Sequence, residues 1–339
     1  MVMLRNRQRG VVLITTLMLV IFMSSLFVLM SKDTLVNQKR IFYRTIENQS
    51  IDTILGLEST YLYYIKNNSD MSFNQTFFNN LSNSRINKYL IDMFPDASID
   101  ISLKDNTNCL NINSVVSISR NDEEIEYIKN DTNVSYIYNY LNLNNIDPII
   151  ISEFLDQVLD WIDTDDEPRS YGIEDYFYTG PLSINKQYTG KRLFFNKNEL
   201  LTLPALSQFD INKLNHICVH PYSTKQLINI NSLVLDDYIL VQSLYPDFSA
   251  DEAKLFIKEI PLSRVRNKSE LSRIFNDYSL DNIDLFIYKA GFFQIKTKVR
   301  YRDLDFSVTS FINDLNSNSK ISHRHYNNDW NEIIYCTFC

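Results

Sequence analysis

A chain of 339 residues, 45% of them apolar, has material for more than one packed unit. Its formal net charge of −8 repels phosphate backbones, which argues against nucleic acid as a partner and favours cations at acidic clusters. With only six glycines, and neither GxGxxG nor GxxxxGK[ST], it has no glycine-rich nucleotide cradle, and nothing marks a pocket for a small-molecule substrate.

The N-terminus comes first in chain order. Arg5, Arg7 and Arg9 lie in residues 1–10 without an acid, and residues 11–30 (VVLITTLMLVIFMSSLFVLM) carry no charge. At ~1.5 Å per helical residue this uncharged stretch spans ~30 Å, the thickness of a bilayer core. The arginines stay on the cytoplasmic side, so the rest of the chain faces outward, into a periplasm beyond an inner membrane. No small-x-small cleavage site follows the apolar core at Met30-Ser31-Lys32, so a retained anchor is expected rather than a removed signal peptide. The basic stretch ending at Gly10, directly before the helix, resembles a class III signal peptide. That resemblance implies cleavage by a prepilin peptidase between Gly10 and Val11, with methylation of Val11. Pilins usually carry Glu at the fifth residue after the cut; here it is Thr15. A carboxylate at that depth costs ~2.5–3.5 kcal/mol, and most pilins keep it to pair with a neighbouring subunit's terminal amine. A subunit without it gives up that pairing and suits the start of a filament.

Helical amphipathic sequence continues to about residue 65 through Ile46, Ile51, Ile54, Leu55 and Tyr61, and residues 66–82, rich in Asn and Ser, read as a loop. Residues 97–104 alternate, with Ile99, Ile101 and Leu103 on one face, which predicts a half-buried strand. Residues 291–313 predict a hairpin with Phe293, Ile295 and Val299 facing one way, then Phe306 and Val308, and a turn near Arg302-Asp303. Between these strands the sequence is mostly helical. Asp147-Pro148 supplies an N-cap and a proline at the first helical position, and Ser249 with Glu252 forms a capping box. Cys109-Leu-Asn-Ile-Asn-Ser114 echoes Leu227-Ile-Asn-Ile-Asn-Ser232, and Asn196-Lys-Asn-Glu-Leu200 echoes Asn267-Lys-Ser-Glu-Leu271. The echo is either chance in an Asn-rich chain or the trace of two related helical units.

The densest chemical signal runs from Asp160 to Asp175, directly after a helix. Carboxylates packed this closely repel one another unless a hard cation with oxygen ligands relieves them. With Asp163 at position 1 of a twelve-residue calcium loop, Asp165 falls at 3, Glu167 at 5 and Glu174 at 12, but Pro168 stands where an EF-hand needs glycine. A calcium loop of similar length is expected, the alternative being a solvated acidic loop. Zinc does not suit a stretch without Cys or His. Four cysteines, Cys109, Cys218, Cys336 and Cys339, permit two disulfides in an exported domain, with Cys109–Cys218 and Cys336–Cys339 the expected pairing. Cys336-Thr-Phe-Cys339 has CxxC spacing but no following helix for a redox motif.

Taken together, QRG-VVLITTLMLVIF, LDWIDTDDEP with GIEDYFY, and the paired Asn-Ile-Asn segments resemble the K-type minor pseudopilins of type II secretion systems over nearly the whole chain. The resemblance implies an α+β pseudopilin fold: a long N-terminal helix on a small antiparallel sheet, with a large helical insertion. It divides the chain into a leader (1–10), a membrane helix (11–30), a split body (31–113 and 227–313), an insertion (114–226, or longer if a second helical unit at 233–275 is included) and a tail (314–339). It also implies Ca2+, with Asp163, Asp165, Asp166, Glu167, Glu174 and Asp175 as candidate ligands. The expected role is non-enzymatic, at the tip of a pseudopilus with other minor pseudopilins. The alternative is a membrane-anchored, calcium-stabilised periplasmic hydrolase or receptor.

Overall fold

The computed structural model describes residues 5–67, 97–121, 124–181, 186–276, 278, 280, 282–301, 304–313 and 320–328. One helix, α1 (Arg5–Asn67), takes up the whole N-terminal region, and its stretch from Val11 is long and apolar enough to cross a membrane. Side chains from Val11 to Met30 are exposed, whereas Ile46, Ile54, Leu57 and Tyr61 are buried. The helix is therefore bare along its first half and packed along its second.

What the second half packs against is an antiparallel sheet in the order β1-β8-β9-β10. It comprises β1 (Ala97–Asp105), β8 (Phe292–Tyr301), β9 (Leu304–Asn313) and β10 (Lys320–Asn328). Leu57 and Tyr61 join Ile101, Leu103, Phe293, Ile295 and Ile312 in one cluster, and Ile46 and Ile54 join Val299, Phe306 and Val308 in a second. Most of these are the residues whose alternation predicts the strands, so β1, β8 and β9 turn their apolar faces to α1. An ion pair buried on its acidic side pins the contact. Glu58 of α1, 2% exposed, accepts two hydrogen bonds from Arg324 of β10 (2.9 and 2.6 Å) and one from the Ser310 hydroxyl.

Two of the expected boundaries are corrected. The stretch from 314 to 339, read as a tail, contains the fourth strand. Because β1 pairs directly with β8 (Ala97↔Tyr301 to Asp105↔Phe293), the whole of 106–291 is inserted between neighbouring strands, and the second body segment begins at Phe292 rather than at 227. The helical region has one continuous core running from Leu110 to Phe286, which is why residues 227–291 side with the insertion. The loop expected at 66–82 and the Arg302-Asp303 turn lie outside the described residues, apart from positions 66 and 67, which end α1.

Within the insertion the sequence echo is a structural repeat. The first unit holds β2 (Leu110–Asn111), a hairpin of β3 (Val116–Asn121) and β4 (Glu124–Lys129), α2 (Asp131–Leu143), α3 (Pro148–Ile162), α4 (Asp175–Tyr178) and β5 (Ile217–Cys218). The second holds β6 (Ile228–Asn229), α5 (Tyr238–Leu244), α6 (Ala250–Glu259), α7 (Lys268–Ile274) and β7 (Phe286–Ile287). In each unit two short parallel strands, β2 with β5 and β6 with β7, lead into a 3-10 turn. Asn113 accepts from Phe194 N–H (2.8 Å) and donates to Phe194 and His220 carbonyls (2.8 and 3.1 Å). Asn231 accepts from Val265 N–H (2.9 Å) and donates to Val265 and Tyr288 carbonyls (2.8 and 2.9 Å). An amide that satisfies three backbone groups, buried at Asn113 and half-buried at Asn231, is costly to replace, which accounts for the Asn at the same place in both halves of the echo. Asp147 caps α3 and the Ser249–Glu252 box caps α6, as the sequence predicts.

Candidate metal centre

The acidic stretch begins at the last turn of α3, where Asp160 and Asp163 are one turn apart. A helix C-terminus is the negative end of the macrodipole, so two carboxylates there need a cation nearby. The chain then loops out through 164–171 and returns at Gly172, where an added Cβ would sit 1.7 Å from Asp160 Oδ2. That close return brings Glu174, the residue before α4, against Asp160 and Asp163. One ligand oxygen from each of the three lies within 4.8 Å of the others. Two oxygens bound to one calcium at ~2.3–2.6 Å stand at most ~5 Å apart, so the three fit a shared ion.

All three are buried, at 0%, 5% and 1% exposure for Asp160, Asp163 and Glu174. Arg169 is the only cation bonded to them among the described residues. Its guanidinium donates to Asp160 (2.5 Å) and to Asp163, and its backbone N–H donates to Asp160 Oδ2 (3.1 Å). Three carboxylates against one guanidinium leave two negative charges, the charge that a divalent cation cancels. The leftover capacity is visible atom by atom: Asp163 Oδ1 and both oxygens of Glu174 are buried without a hydrogen-bond partner. Native proteins rarely leave such atoms unmatched, and a bound ion is among the standard reasons.

The surroundings intensify this demand. Tyr178 lies close to Asp160 and Glu174 and belongs to an aromatic group, with Trp161 edge-on to it at 5.6 Å and stacked on Phe194 at 5.7 Å. Burial raises the Asp160 and Asp163 carboxyls, with Arg169 opposing the rise. Burial, then the Asp160 and Asp163 charges, push Glu174 up to about 7. Burial also raises the Tyr178 phenol, helped by Asp160 and Glu174, and its hydroxyl too is buried without a partner.

Of the six candidate ligands, Asp163 and Glu174 converge as their loop positions 1 and 12 predict. The other four are placed elsewhere. Asp165 is exposed and accepts from the Glu167 backbone N–H (2.9 Å), and Glu167 is exposed as well. Asp166 pairs with Lys191 (2.5 Å). Asp175 accepts from the Thr189 N–H and hydroxyl (2.6 and 2.7 Å), which ties the far strand of the loop in place. Asp160 joins the cluster although the loop template starts after it; its signal in the sequence is the three-residue step to Asp163 on one helix face.

Cys109 and Cys218 form a disulfide with Cα atoms 5.8 Å apart, and it ties β2 to β5. His220 Nε2 lies 3.4 Å from both sulfurs, but bonded sulfurs are no thiolate ligands, so this second His/Cys group is not a metal site. Cys336 and Cys339 lie outside the described residues. Gly10 and Val11 lie within α1.

Residues 108–222, which include the whole acidic cluster and the disulfide, match the family described as type II secretion system (T2SS), protein K. A curated relative, the putative type II secretion system protein K of Escherichia coli strain K12, is 23% identical over 267 residues, covering 76% of each chain. Among solved structures, the crystal structure of the GspK-GspI-GspJ complex from the enterotoxigenic Escherichia coli type 2 secretion system shares the fold. Its TM-score is 0.55 at 14% identity, covering 69% of this chain and 81% of that one. Long helix, antiparallel sheet and inserted helical units agree with these likenesses: residues 108–222 match the type II secretion system protein K family, and the chain around them is similar to its members.

Proposed function

We propose that this chain acts without catalysis at the tip of a periplasmic pseudopilus, where it helps to start assembly and so supports export of folded proteins. The observation that carries this reading is the insertion of 106–291 between adjacent strands β1 and β8. Stacking in a filament shaft needs the helix and a slim body to pass neighbouring subunits, and a helical mass inserted beside β1 obstructs it on steric grounds. Thr15 supports the same end position. Its hydroxyl is spent on the Val12 carbonyl of its own helix (2.9 Å), and no carboxylate is there to engage the N-terminal amine of a subunit already in place. The GspK-GspI-GspJ complex supports other minor pseudopilins as the partners.

In the same reading α1 is cut after Gly10 by a prepilin peptidase, Val11 is methylated, the helix stays in the inner membrane, and the soluble part lies in the periplasm. Asp160, Asp163 and Glu174 hold Ca2+, which supplies the positive charge that Arg169 alone does not. A chain lacking residues 106–291 and a full-length chain are each expressed in a host deleted for its own K subunit, with an exported protein measured in the medium. Secretion restored only by the full-length chain, with a mature N-terminus at Val11 by mass spectrometry, is the expected result. A full-length chain that leaves secretion unrestored while a cell-surface hydrolysis changes would favour the hydrolase reading instead.

A further inference from the structure

The sheet has a second face, turned away from α1. Register places Lys104, Gln294, Phe311 and His323 in one row across it, and Lys296, Thr309 and His325 in the next. Between this face and the insertion segments 196–198 and 215–221 runs a cleft of about 500 Å³. Its floor is the Cys109–Cys218 disulfide and His220, whose ring stacks on Phe292 at 3.6 Å.

The charge of this cleft is opposite to that of the protein. Lys104 and Lys197 line it, and neither has an ion pair among the described residues; the Lys197 ammonium donates only to the Leu214 carbonyl (2.7 Å). Asp105 is the single acid among the lining residues, and its oxygens are taken by the Thr107 N–H, the Asn229 amide and the Ser232 hydroxyl (each 2.8 Å). In a chain of net charge −8, two ammonium groups against one carboxylate leave this concavity with an excess positive charge, which selects for an anion. The lining contains no arginine, the side chain whose fork fits phosphate or sulfate, so carboxylate is the better match. The side-chain amides of Asn198 and Asn215 also line it and make no hydrogen bond among the described residues. An amide offers both donor and acceptor, which is what a peptide backbone needs. Tyr222 follows the lining residue Pro221; it is 75% exposed, has φ of 62° and sits edge-on to Phe195, the residue before the lining residue Asn196, at 5.8 Å. Holding a non-glycine residue in the left-handed region costs free energy, so a ring displayed there is a candidate contact.

We propose that this cleft docks an extended peptide segment carrying Asp or Glu side chains, with carboxylates on Lys104 and Lys197, backbone on Asn198 and Asn215, and flank against Tyr222. The site does not depend on the tip position, since it is built from this chain alone. Full-length protein in detergent micelles is titrated by fluorescence anisotropy with fluorescein-labelled decaglutamate, and with decaglutamine and dextran sulfate as comparison probes. Decaglutamate should bind saturably, bind less as salt is raised, and lose about tenfold in affinity, ~1.4 kcal/mol, in the Lys104→Gln/Lys197→Gln variant. Lys254→Gln, whose ammonium lies over Tyr238 on the second helical unit, should bind as wild type does. Asn215→Asp, an exposed change, should weaken binding without touching either lysine, which keeps the test valid if the double variant misfolds. No saturable decaglutamate binding, equal binding by decaglutamine, unchanged binding by both variants, or lysine-dependent dextran sulfate binding tighter than decaglutamate binding would each overturn the proposal.

Discussion

Replacing Glu174 by Gln should change stability with opposite sign in chelator and in calcium. Without an ion, the Glu174 carboxylate is 1% exposed with both oxygens unpartnered, and its pKa stands at about 7 against an ordinary 4.5. A raised carboxyl pKa means the folded state holds the proton more tightly than the unfolded chain does. The penalty is therefore zero below pH 4.5, grows between 4.5 and about 7, and is complete above it. At 1.36 kcal/mol per unit the full penalty approaches ~3 kcal/mol, and water reaching the exposed loop beside it lowers this to about 1–2 kcal/mol. Gln has the shape without the charge. At pH 8 in chelator, Glu174→Gln should stabilise by about 1–2 kcal/mol, raise the melting temperature by a few degrees, and flatten the decline between pH 4.5 and 7. On the calcium reading proposed above, the ionised carboxylate becomes a ligand when the ion is supplied. Wild type then gains RT ln(1 + [L]/Kd), ~2.7 kcal/mol at a hundredfold excess over Kd, and the variant forfeits most of it. Melting of the full-length protein in detergent, followed by fluorescence with Trp161 beside the cluster, measures both arms. A substitution effect of the same sign in both conditions, or a wild type that melts identically with calcium and with chelator, would refute the reasoning.

Other expectations follow from single contacts. Gly172→Ala puts a methyl group 1.7 Å from Asp160 Oδ2, so it should destabilise by about 1–3 kcal/mol and abolish the calcium-dependent shift in melting temperature. Cys109→Ser should cost about 2–5 kcal/mol in denaturant unfolding, because the bond closes a sequence separation of 109 residues, and reductant should bring wild type to the same midpoint. Glu58→Ala leaves the Arg324 guanidinium, 31% exposed, facing α1 without its carboxylate, at about 1–3 kcal/mol by urea midpoint; adding Arg324→Leu should recover part of that loss. An unchanged midpoint in Glu58→Ala would mean that the apolar clusters alone hold α1 on the sheet.

Local physics fixed much of what could be read in advance. The uncharged run at 11–30 needs only its length to span a bilayer, and the alternation of Ile99, Ile101 and Leu103 needs only the two-residue period of a strand. Caps at Asp147 and Ser249 act within three residues, so they too are visible in sequence. The Asn-Ile-Asn echo was visible, but its meaning was not: Asn113 and Asn231 satisfy backbone groups 81 and 34 residues away at Phe194 and Val265. Strand β10 carries no apolar alternation that would announce it in sequence. Arg324 points to Glu58 on one face, while His323 and His325 lie on the other beside Phe311, so neither face reads as core. The pairing of β1 with β8 across the whole insertion is likewise a long-range choice, made by α1 covering both strands at once. The acidic loop shows the division most clearly. Its composition announces a demand for positive charge, but every carboxylate in it has the same chemistry and the same neighbours in sequence. Which ones meet was decided by the return of the chain at Gly172, the anchoring of Asp175 by Thr189 and the pairing of Asp166 with Lys191. These contacts bury Asp160, Asp163 and Glu174 together and leave Asp165 and Glu167 in solvent.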